Sequence, residues 1–533
     1  MPPHAKTAAA LIAVVTLSSG CTFVAGPTTP PSGAPTGAPS SSSIGGIQVA
    51  TVPGVGVDRR TYPPVSPVVE GITEGLPGGE LSAYAKQKLK WRDCGDGSTR
   101  CAEVLAPLDY AAPQEKAITL SLRMKPATKK PHLGSLFINP GGPGGSGKEL
   151  VDTFVTDGLE RYDIVGWDPR GAGDSTPVRC LTDEQTDAYL DLDSSPDDEG
   201  ERAALVKAAA DFAKACWERN GDLLNHIGTI ETVRDLDLLR GLLGNKELNF
   251  LGYSYGTQIG ATYAELFGQN TGRLVLDAAV NITEDDSVIQ AQGFDLALGN
   301  FATWCAKTTC GLGNTKAEVL AAITGLLDRL DANPLQVGDR KLTQSLAVAG
   351  IAVALYGGKD AWNPLAIIVQ RAIDGNGANL LYAADQMNFR DESGHYDAMF
   401  YAFPAISCLD AKEEGILDAD QLWVEDQGKA PIFGKYFGPQ YNCSLWSVPG
   451  SEYLKLHLDG ASAKPLVVIG GTGDNATPIQ YARSMAKQLK SAVLVTYEGE
   501  GHGSYGDKSA CVDKLVVNFL VRGEVPADGT KCS

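Results

Sequence analysis

Residues 248–256 read Leu-Asn-Phe-Leu-Gly-Tyr-Ser-Tyr-Gly, an apolar run that ends in the pattern Gly-x-Ser-x-Gly. The run before Gly252 is typical of a buried β-strand, and residues 257–267 have a helix-forming composition. A serine on a sharp turn from strand to helix stands exposed at the helix N-terminus, where flanking glycines avoid collisions with both elements. The stretch therefore predicts a nucleophile elbow with Ser254 as the nucleophile.

Other short apolar runs bounded by turn residues predict further buried strands. They lie at 133–139, 162–167, 274–277, 466–470 and 493–497. Helical patterns lie between or before these strands, at 81–91, 201–219, 232–243 and 480–489. Strands that alternate with helices indicate an α/β fold with a mostly parallel central sheet.

The alternation is interrupted over a long, largely helical region, which predicts an inserted cap domain. We divide the chain into a core of residues 81–280, a cap domain of residues 281–460 and a C-terminal core part of residues 461–533. The 533 residues have room for a core of roughly 200 to 250 residues and one large insertion.

A serine is a weak nucleophile at its ordinary pKa, so a general base must lie within hydrogen-bond reach. Of the six histidines, His502 lies in a glycine-rich loop directly after the last predicted strand, late in the chain. The others lie in the leader, ahead of a strand or helix, or in the predicted cap: His4, His132, His226, His395 and His457. His502 is therefore the predicted general base.

The acid that orients this histidine is expected after a strand and between the other two residues. Asp474 follows the predicted strand 466–470 and precedes His502 by 28 residues. The order Ser254, Asp474, His502 matches α/β-hydrolase triads and differs from the chymotrypsin and subtilisin orders. As an alternative, Asp474 could cap the helix that follows Pro478.

Residues 139–145 read Asn-Pro-Gly-Gly-Pro-Gly-Gly and follow a predicted strand. Their unhindered backbone amides could bind a developing oxyanion beside the N–H of Tyr255. A phosphate-binding loop is the alternative, but the run matches neither of the two common glycine patterns of such loops. We expect no metal or other cofactor.

The N-terminus predicts export. Residues 1–20 have the pattern of a signal peptide, and small residues precede Cys21 as at a bacterial lipoprotein processing site. Residues 21–80, rich in Pro, Ser, Gly and Thr at their start, are then a flexible tether behind a lipidated Cys21. This places the protein on the outer face of the cell membrane, with plain secretion as the alternative.

The cysteine count agrees with an oxidising compartment, because ten cysteines remain after Cys21. The simplest local pairing is sequential, although spacing alone leaves connectivity open. It would give Cys94–Cys101, Cys180–Cys216, Cys305–Cys310, Cys408–Cys443 and Cys511–Cys532. The net charge of −19 argues against nucleic-acid binding, and 43% hydrophobic with 20% charged residues indicates a folded globular body.

Five motifs occur in a characteristic order from about Trp91 to the end: NPGGPGGSG, DIVGWDPRGAGDS, LNFLGYSYGT, GGTGDNATP and EGEGHGSY. Together they resemble the secreted tripeptidyl aminopeptidases and prolyl aminopeptidases of actinobacteria, and above all the mycobacterial cell-envelope serine proteases of that group. Prolyl aminopeptidases carry HGGPG in the oxyanion loop, whereas Pro140 stands here in place of their histidine. That difference favours the tripeptidyl branch.

The resemblance implies hydrolysis of peptide bonds near a free N-terminus by Ser254, Asp474 and His502. It also implies that Gly142 and Tyr255 supply the oxyanion amides and that the cap closes the cleft above the serine. Acidic groups near the cap would hold the substrate ammonium. Asp410 is one such group, with an ordinary solvated carboxylate as the alternative.

Two other functions remain open from the sequence. The same fold and triad also serve esters, so a cell-envelope carboxylesterase or lipase is the nearest alternative. A surface binding protein without turnover is the other. The expected partners are peptides or proteins with a free N-terminus and the membrane, whereas the sequence does not determine the oligomeric state.

Overall fold

The computed structural model describes residues 62–533 except positions 79, 284, 413, 414, 447, 449 and 507. Upstream it describes only the backbone of 43–44 and 47–48, which pair as a short antiparallel ladder. The predicted signal peptide, Cys21 and most of the predicted tether lie outside the described residues. No helix in the described part of the chain is both long and apolar enough to cross a bilayer.

The strands are given in chain order. They are β1 (Ser43–Ile44), β2 (Ile47–Gln48), β3 (Ile72–Glu74), β4 (Arg92–Asp93), β5 (Arg100–Pro107), β6 (Lys116–Lys125), β7 (Ser135–Asn139), β8 (Asp163–Trp167), β9 (Leu248–Tyr253), β10 (Thr271–Asp277), β11 (Leu335–Val337), β12 (Arg340–Leu342), β13 (Leu466–Gly473), β14 (Ala492–Glu500) and β15 (Thr530–Cys532). The structure has strands at all six positions predicted from the apolar runs.

The helices also follow chain order. They are α1 (Leu81–Tyr84), α2 (Gly147–Thr153), α3 (Asp183–Leu190), α4 (Glu199–Asn220), α5 (Thr229–Leu242), α6 (Tyr255–Leu266), α7 (Gln290–Thr308), α8 (Lys316–Ala332), α9 (Gln344–Tyr356), α10 (Lys359–Ile373), α11 (Ala378–Met387), α12 (Ala398–Asp410), α13 (Ile416–Lys429), α14 (Phe433–Tyr436), α15 (Tyr441–Ser444), α16 (Ile479–Gln488) and α17 (Ala510–Arg522). The helices α7–α15 all lie between β10 and β13 in the chain.

A central sheet has the strand order β15-β14-β13-β10-β9-β7-β8-β6-β5-β4, and β3 pairs with β6. From β15 to β8 all neighbours are parallel, whereas β6 is antiparallel to β8 and to β5. Parallel strands need crossover helices on both faces, so their residues are buried on both sides. β7 shows this directly, because all five of its residues are buried. The predicted α/β fold with a mostly parallel sheet is confirmed.

The helices inserted between β10 and β13 pack against a second helical excursion, which is the segment that leaves the sheet between β8 and β9. α3 and α4 lie between β8 and β9, and buried residues of α4 share an apolar cluster with α13 and α15. Phe212 of α4 also stacks on Tyr401 of α12. The helical region above the sheet is therefore built from two separate chain segments, of which the sequence indicated only one.

All ten described cysteines form disulfides, and the pairing is sequential along the chain. Cys180–Cys216 ties the segment after β8 to α4. Cys408–Cys443 ties α12 to α15. Both helical excursions are thus cross-linked, each within its own segment.

Two predictions about the start of the folded body are wrong. The helix predicted at 81–91 ends at Tyr84. Beyond it Gln87 uses its side-chain amide to bond both the carbonyl and the N–H of Leu105, so the segment runs along β5 instead of coiling. Residues 62–80, assigned to the tether, contribute β3 to the sheet, and Pro63 accepts a hydrogen bond from the Trp217 indole.

Candidate active site

Ser254 occupies the sharp turn between β9 and α6. Its backbone has φ 54° and ψ −124°, in a region that residues other than glycine rarely adopt. Side chains on the flanking glycines would collide, because a Cβ on Gly252 would lie 2.5 Å from the Gly256 carbonyl oxygen. The Ser254 N–H donates to the Asp277 carbonyl of the neighbouring strand at 3.0 Å. The turn is thus held as the nucleophile elbow that the motif predicts.

His502 and Asp474 meet at the ends of the adjacent strands β13 and β14. Nδ1 of His502 lies 2.9 Å from Oδ1 and 3.0 Å from Oδ2 of Asp474. An ionised carboxylate only accepts hydrogen bonds, so Nδ1 carries the proton. Nε2 is buried and has no hydrogen-bond partner among the described residues, which leaves the nitrogen of a general base unengaged.

The Asp474 carboxylate is almost fully buried, with 1% of its side chain exposed. Burial raises its pKa, but the His502 imidazole, their hydrogen bond and the Thr477 amide outweigh burial, so the pKa lies below its ordinary value. Oδ1 also accepts from the N–H groups of Ala476 and Thr477 at 3.0 and 2.8 Å. Asp474 therefore binds the turn ahead of α16 and His502 at the same time. It does not cap α16 itself, because the N-cap of that helix is Pro478 and has no side-chain cap hydrogen bond, so the capping alternative is wrong.

Asp277, at the end of β10, is a second carboxylate in the site, and sequence reasoning missed it. It accepts from the N–H and Oγ of Ser504 at 2.9 and 2.7 Å and from the Tyr505 N–H at 2.7 Å. Burial is the main reason that its pKa lies above its ordinary value. Because its main-chain oxygen also binds Ser254, Asp277 connects the serine turn to the histidine loop. Its hydrogen bonds go to residues beside His502 and not to the imidazole.

The inserted helices contact the loop that carries His502. The His502 N–H donates to the Tyr356 carbonyl at the end of α9 at 3.0 Å, and the Tyr356 ring meets the imidazole edge-on at 5.3 Å. A Cβ on Gly358 would lie 2.6 Å from the Glu500 carbonyl oxygen. Asn300 of α7 donates to the Glu500 carboxylate at 3.2 Å. The helical insertion therefore helps to position His502, the predicted general base.

The glycine loop after β7 lies against the serine turn. A Cβ on Gly141 would lie 2.9 Å from the Cβ of Ser254 and 3.0 Å from the Tyr255 nitrogen, so only glycine fits there. Gly141 donates its N–H to Asn139 Oδ1 at 2.9 Å. The Gly142 N–H makes no hydrogen bond among the described residues. Gly142 and Tyr255 thus remain the predicted oxyanion donors, with Asn139 as an anchor that the sequence did not reveal.

Asp410 does not lie in open solvent. It is 9% exposed, and its Oδ2 accepts from the N–H and Oγ of Thr229 at 2.9 and 2.6 Å. Its Oδ1 accepts from Ser451 at 2.7 Å, and the Tyr255 hydroxyl lies 2.5 Å from the Thr229 hydroxyl. Burial raises the pKa of this carboxyl. These contacts make Asp410 a brace behind Tyr255, one of the two predicted oxyanion donors, and its role toward a substrate ammonium stays a prediction.

Fold and site define the class of protein. A model of the alpha/beta hydrolase fold matches residues 134–341, and a model described as TAP-like protein matches residues 430–532. The chain belongs to the α/β-hydrolase family, which confirms the resemblance drawn from its motifs.

Three relatives are similar over most of their length. Serine protease Hip1 of Mycobacterium tuberculosis (strain ATCC 25618 / H37Rv) is 33% identical over 480 residues, 84% of this chain and 91% of the relative. Carboxylesterase B of the same strain is 32% identical over 504 residues, 88% and 95% respectively. Tripeptidyl aminopeptidase of Streptomyces lividans is 30% identical over 479 residues, 84% and 87% respectively.

Proposed function

We propose that the protein is an exported serine hydrolase that removes short peptides, tripeptides in particular, from free N-termini. The observation that carries the proposal is the arrangement around Ser254. This serine lies in the sharp turn after β9, beside the glycine loop, in which the Gly142 N–H makes no hydrogen bond among the described residues. At the ends of the adjacent strands β13 and β14, His502 is hydrogen-bonded to Asp474. Two relatives named as a serine protease and a tripeptidyl aminopeptidase support the peptidase assignment.

In the proposed reaction Ser254 Oγ attacks the scissile carbonyl while His502 Nε2 takes its proton. The amides of Gly142 and Tyr255 donate to the developing oxyanion. His502 then gives the proton to the leaving amine, and water attacks the acyl-enzyme with His502 again as base. Asp474 keeps Nδ1 protonated throughout, so that Nε2 stays free to accept.

We further propose that residues 281–460 act as a cap that limits access to the serine. Met399 and Ala402 of α12 lie directly over the glycine loop, because a Cβ on Gly142 would meet the Met399 Cε at 2.8 Å and one on Gly144 the Ala402 Cβ at 2.9 Å. A cap in contact with the oxyanion loop leaves little room for a long chain on the acyl side. This supports an exopeptidase.

The test uses tri- and tetrapeptide amides, each with a free and an acetylated N-terminus, with the released fragments identified by mass. We expect cleavage after the third residue of the free peptides and its loss on acetylation. Ser254→Ala should lower the rate by at least about 10⁴-fold. Ser82→Ala, at an exposed serine outside the site, is the matched control. Full activity of Ser254→Ala would refute the proposal.

An esterase is the second candidate, because one relative is named carboxylesterase B. Such an enzyme would hydrolyse p-nitrophenyl esters without cleaving the free peptide amides, and would be indifferent to N-acetylation. An active-site-directed fluorophosphonate would label Ser254 in either enzyme. Failure to label it would favour the binding protein without turnover.

We also propose export with a lipid on Cys21. The disulfides support an oxidising compartment. Mass spectrometry of the mature N-terminal peptide tests the lipid, and Cys21→Ala should move the protein from the membrane fraction to the medium. An unmodified Cys21 in the mature protein would favour plain secretion.

A further inference from the structure

A cavity of about 210 Å³ lies within the helical region, between the two chain excursions. Its walls come from α3, α4, α9, α12 and the residues around α14 and α15, and they are mainly apolar and aromatic. The wall residues used below are Tyr189, Phe212, Leu346, Ala349, Phe400 and Phe403. Ala349 and Phe400 remain partly accessible although helices surround them, so the cavity is open to water.

The size and chemistry of the cavity select an uncharged apolar group. An apolar cavity of about 150 Å³ is enough to bind benzene, so this one has room for a leucine or phenylalanine side chain. No Asp, Glu, Lys or Arg lines its described wall, and a charged group would lose its hydration there. The side chain of Asn388, also in the wall, makes no hydrogen bond among the described residues. It can therefore bind a peptide group in the cavity.

Two helices, α9 and α12, carry both wall residues of the cavity and residues that contact the candidate active site. On α12 the positions that line it, Phe400 and Phe403, are direct neighbours of Met399 and Ala402, which contact the glycine loop. On α9, Ala349 is seven residues from Tyr356, the partner of His502, which corresponds to a rise of about 10 Å. Three extended residues also span about 10 Å.

We propose that this cavity is a subsite for an apolar side chain on the acyl side of the scissile bond, of leucine to phenylalanine size. The proposal rests on the proposed function, because it treats the acyl group as a short peptide. The same apolar chemistry could be met by the fatty acyl chain of an ester, and the experiment separates the two sources. Burial of one such side chain corresponds to about 10- to 100-fold in kcat/KM.

The experiment compares kcat/KM for free tripeptide amides in which each position in turn is Gly, Leu or Phe. We expect one position at which Leu or Phe exceeds Gly by at least about tenfold. Ala349→Phe fills the cavity and should reduce that ratio to below about threefold, and the smaller Ala349→Leu should reduce it partially. The matched control is Ala321→Phe, which adds the same ring at an exposed position on α8 outside the cavity and should leave the ratio unchanged.

The alternatives give distinct results. An unchanged Leu-to-Gly ratio in Ala349→Leu, with the melting temperature of the wild type, overturns the proposal, as does the absence of any apolar preference in the wild type. If the wild type cleaves no peptide amide, the proposed peptidase function fails, and p-nitrophenyl esters of two to ten carbons replace the peptides. If kcat/KM rises with the length of the acyl chain and Ala349→Phe abolishes this rise, the cavity is supported as an apolar acyl subsite of an esterase. If the rise persists in Ala349→Phe, the cavity is not the acyl subsite of an esterase either.

Discussion

The assignment of the catalytic acid can be tested by replacing Asp474 with asparagine. Oδ1 of Asp474 accepts from the amides of Ala476 and Thr477, so the asparagine oxygen is held at that position. Its NH₂ group then takes the place of Oδ2, which lies 3.0 Å from His502 Nδ1. The NH₂ group then faces the Nδ1 proton, and the oxygen left at Oδ1, 2.9 Å from Nδ1, is a neutral acceptor that already binds two amides. The asparagine therefore no longer favours the tautomer with the proton on Nδ1, and a proton on Nε2 instead lets Nδ1 accept from the NH₂ group.

A histidine protonated at Nε2 cannot take the serine proton. The corresponding substitution in a serine protease lowers kcat about 10⁴-fold while the geometry is kept. We expect a loss of about 10³- to 10⁴-fold in Asp474→Asn. The backbone contacts at Oδ1 persist, so the variant should remain folded.

Asp277→Asn is the matched control, because Asp277 is a buried carboxylate at the neighbouring strand end. An asparagine there can keep its oxygen at the Oδ2 position, which accepts from the N–H groups of Ser504 and Tyr505, while its NH₂ group donates to the Ser504 hydroxyl, because a hydroxyl can also accept. The loss of unfolding free energy should therefore be at most about 1.5 kcal/mol. The rate should fall by less than about a hundredfold, since the imidazole keeps its own partner.

Both variants are assayed by the rate of fluorophosphonate labelling at Ser254, which requires no knowledge of the natural substrate, and by denaturant unfolding. Rapid labelling of Asp474→Asn together with slow labelling of Asp277→Asn would refute the assignment. It would make Asp277 the acid of the triad.

Two other substitutions probe the loop and the core, and Asp474→Asn also probes the pH dependence. Gly141→Ala should lower kcat by about 10²- to 10³-fold with KM less affected, because φ is +96° and the new methyl would lie 2.5 Å from the Tyr253 carbonyl oxygen; wild-type kcat would contradict this. Arg170→Met should cost about 3–5 kcal/mol in denaturant unfolding, because it leaves the fully buried Asp235 carboxylate without its charged partner and with only the Tyr110 hydroxyl as donor; a loss below about 1 kcal/mol would contradict the role of the pair. The lowered pKa of Asp474 stabilises the fold above its ordinary value of 3.8, and this contribution is lost as pH falls toward the folded-state pKa. The difference in unfolding free energy between wild type and Asp474→Asn should therefore narrow between about pH 5 and about pH 3, and a constant difference would count against the shift.

Local sequence patterns were enough to predict the fold class, the sharp turn at Ser254 and the neighbouring positions of Asp474 and His502. Buried parallel strands are continuous apolar runs, and the serine turn needs glycines at fixed offsets. Both features can therefore be recognised from a few consecutive residues. The chain order of Ser254, Asp474 and His502 is also a property of the sequence. The antiparallel strands β5 and β6 escaped prediction because their apolar residues alternate with polar ones, as in residues 118–122 of β6, instead of forming a continuous run.

Tertiary structure decided the contacts between distant residues. Asp277 and Asp474 both follow buried strands, and only the fold shows which of them reaches the imidazole. Asp410 is a buried brace because Thr229 and Ser451 converge on it from other elements. The helix α4 packs on the inserted helices although the two segments are about 200 residues apart in the chain. The apolar cavity lies between these segments and therefore also depends on the tertiary structure. Periodicity and spacing report on neighbours along the chain, whereas these contacts depend on how the whole chain folds back on itself.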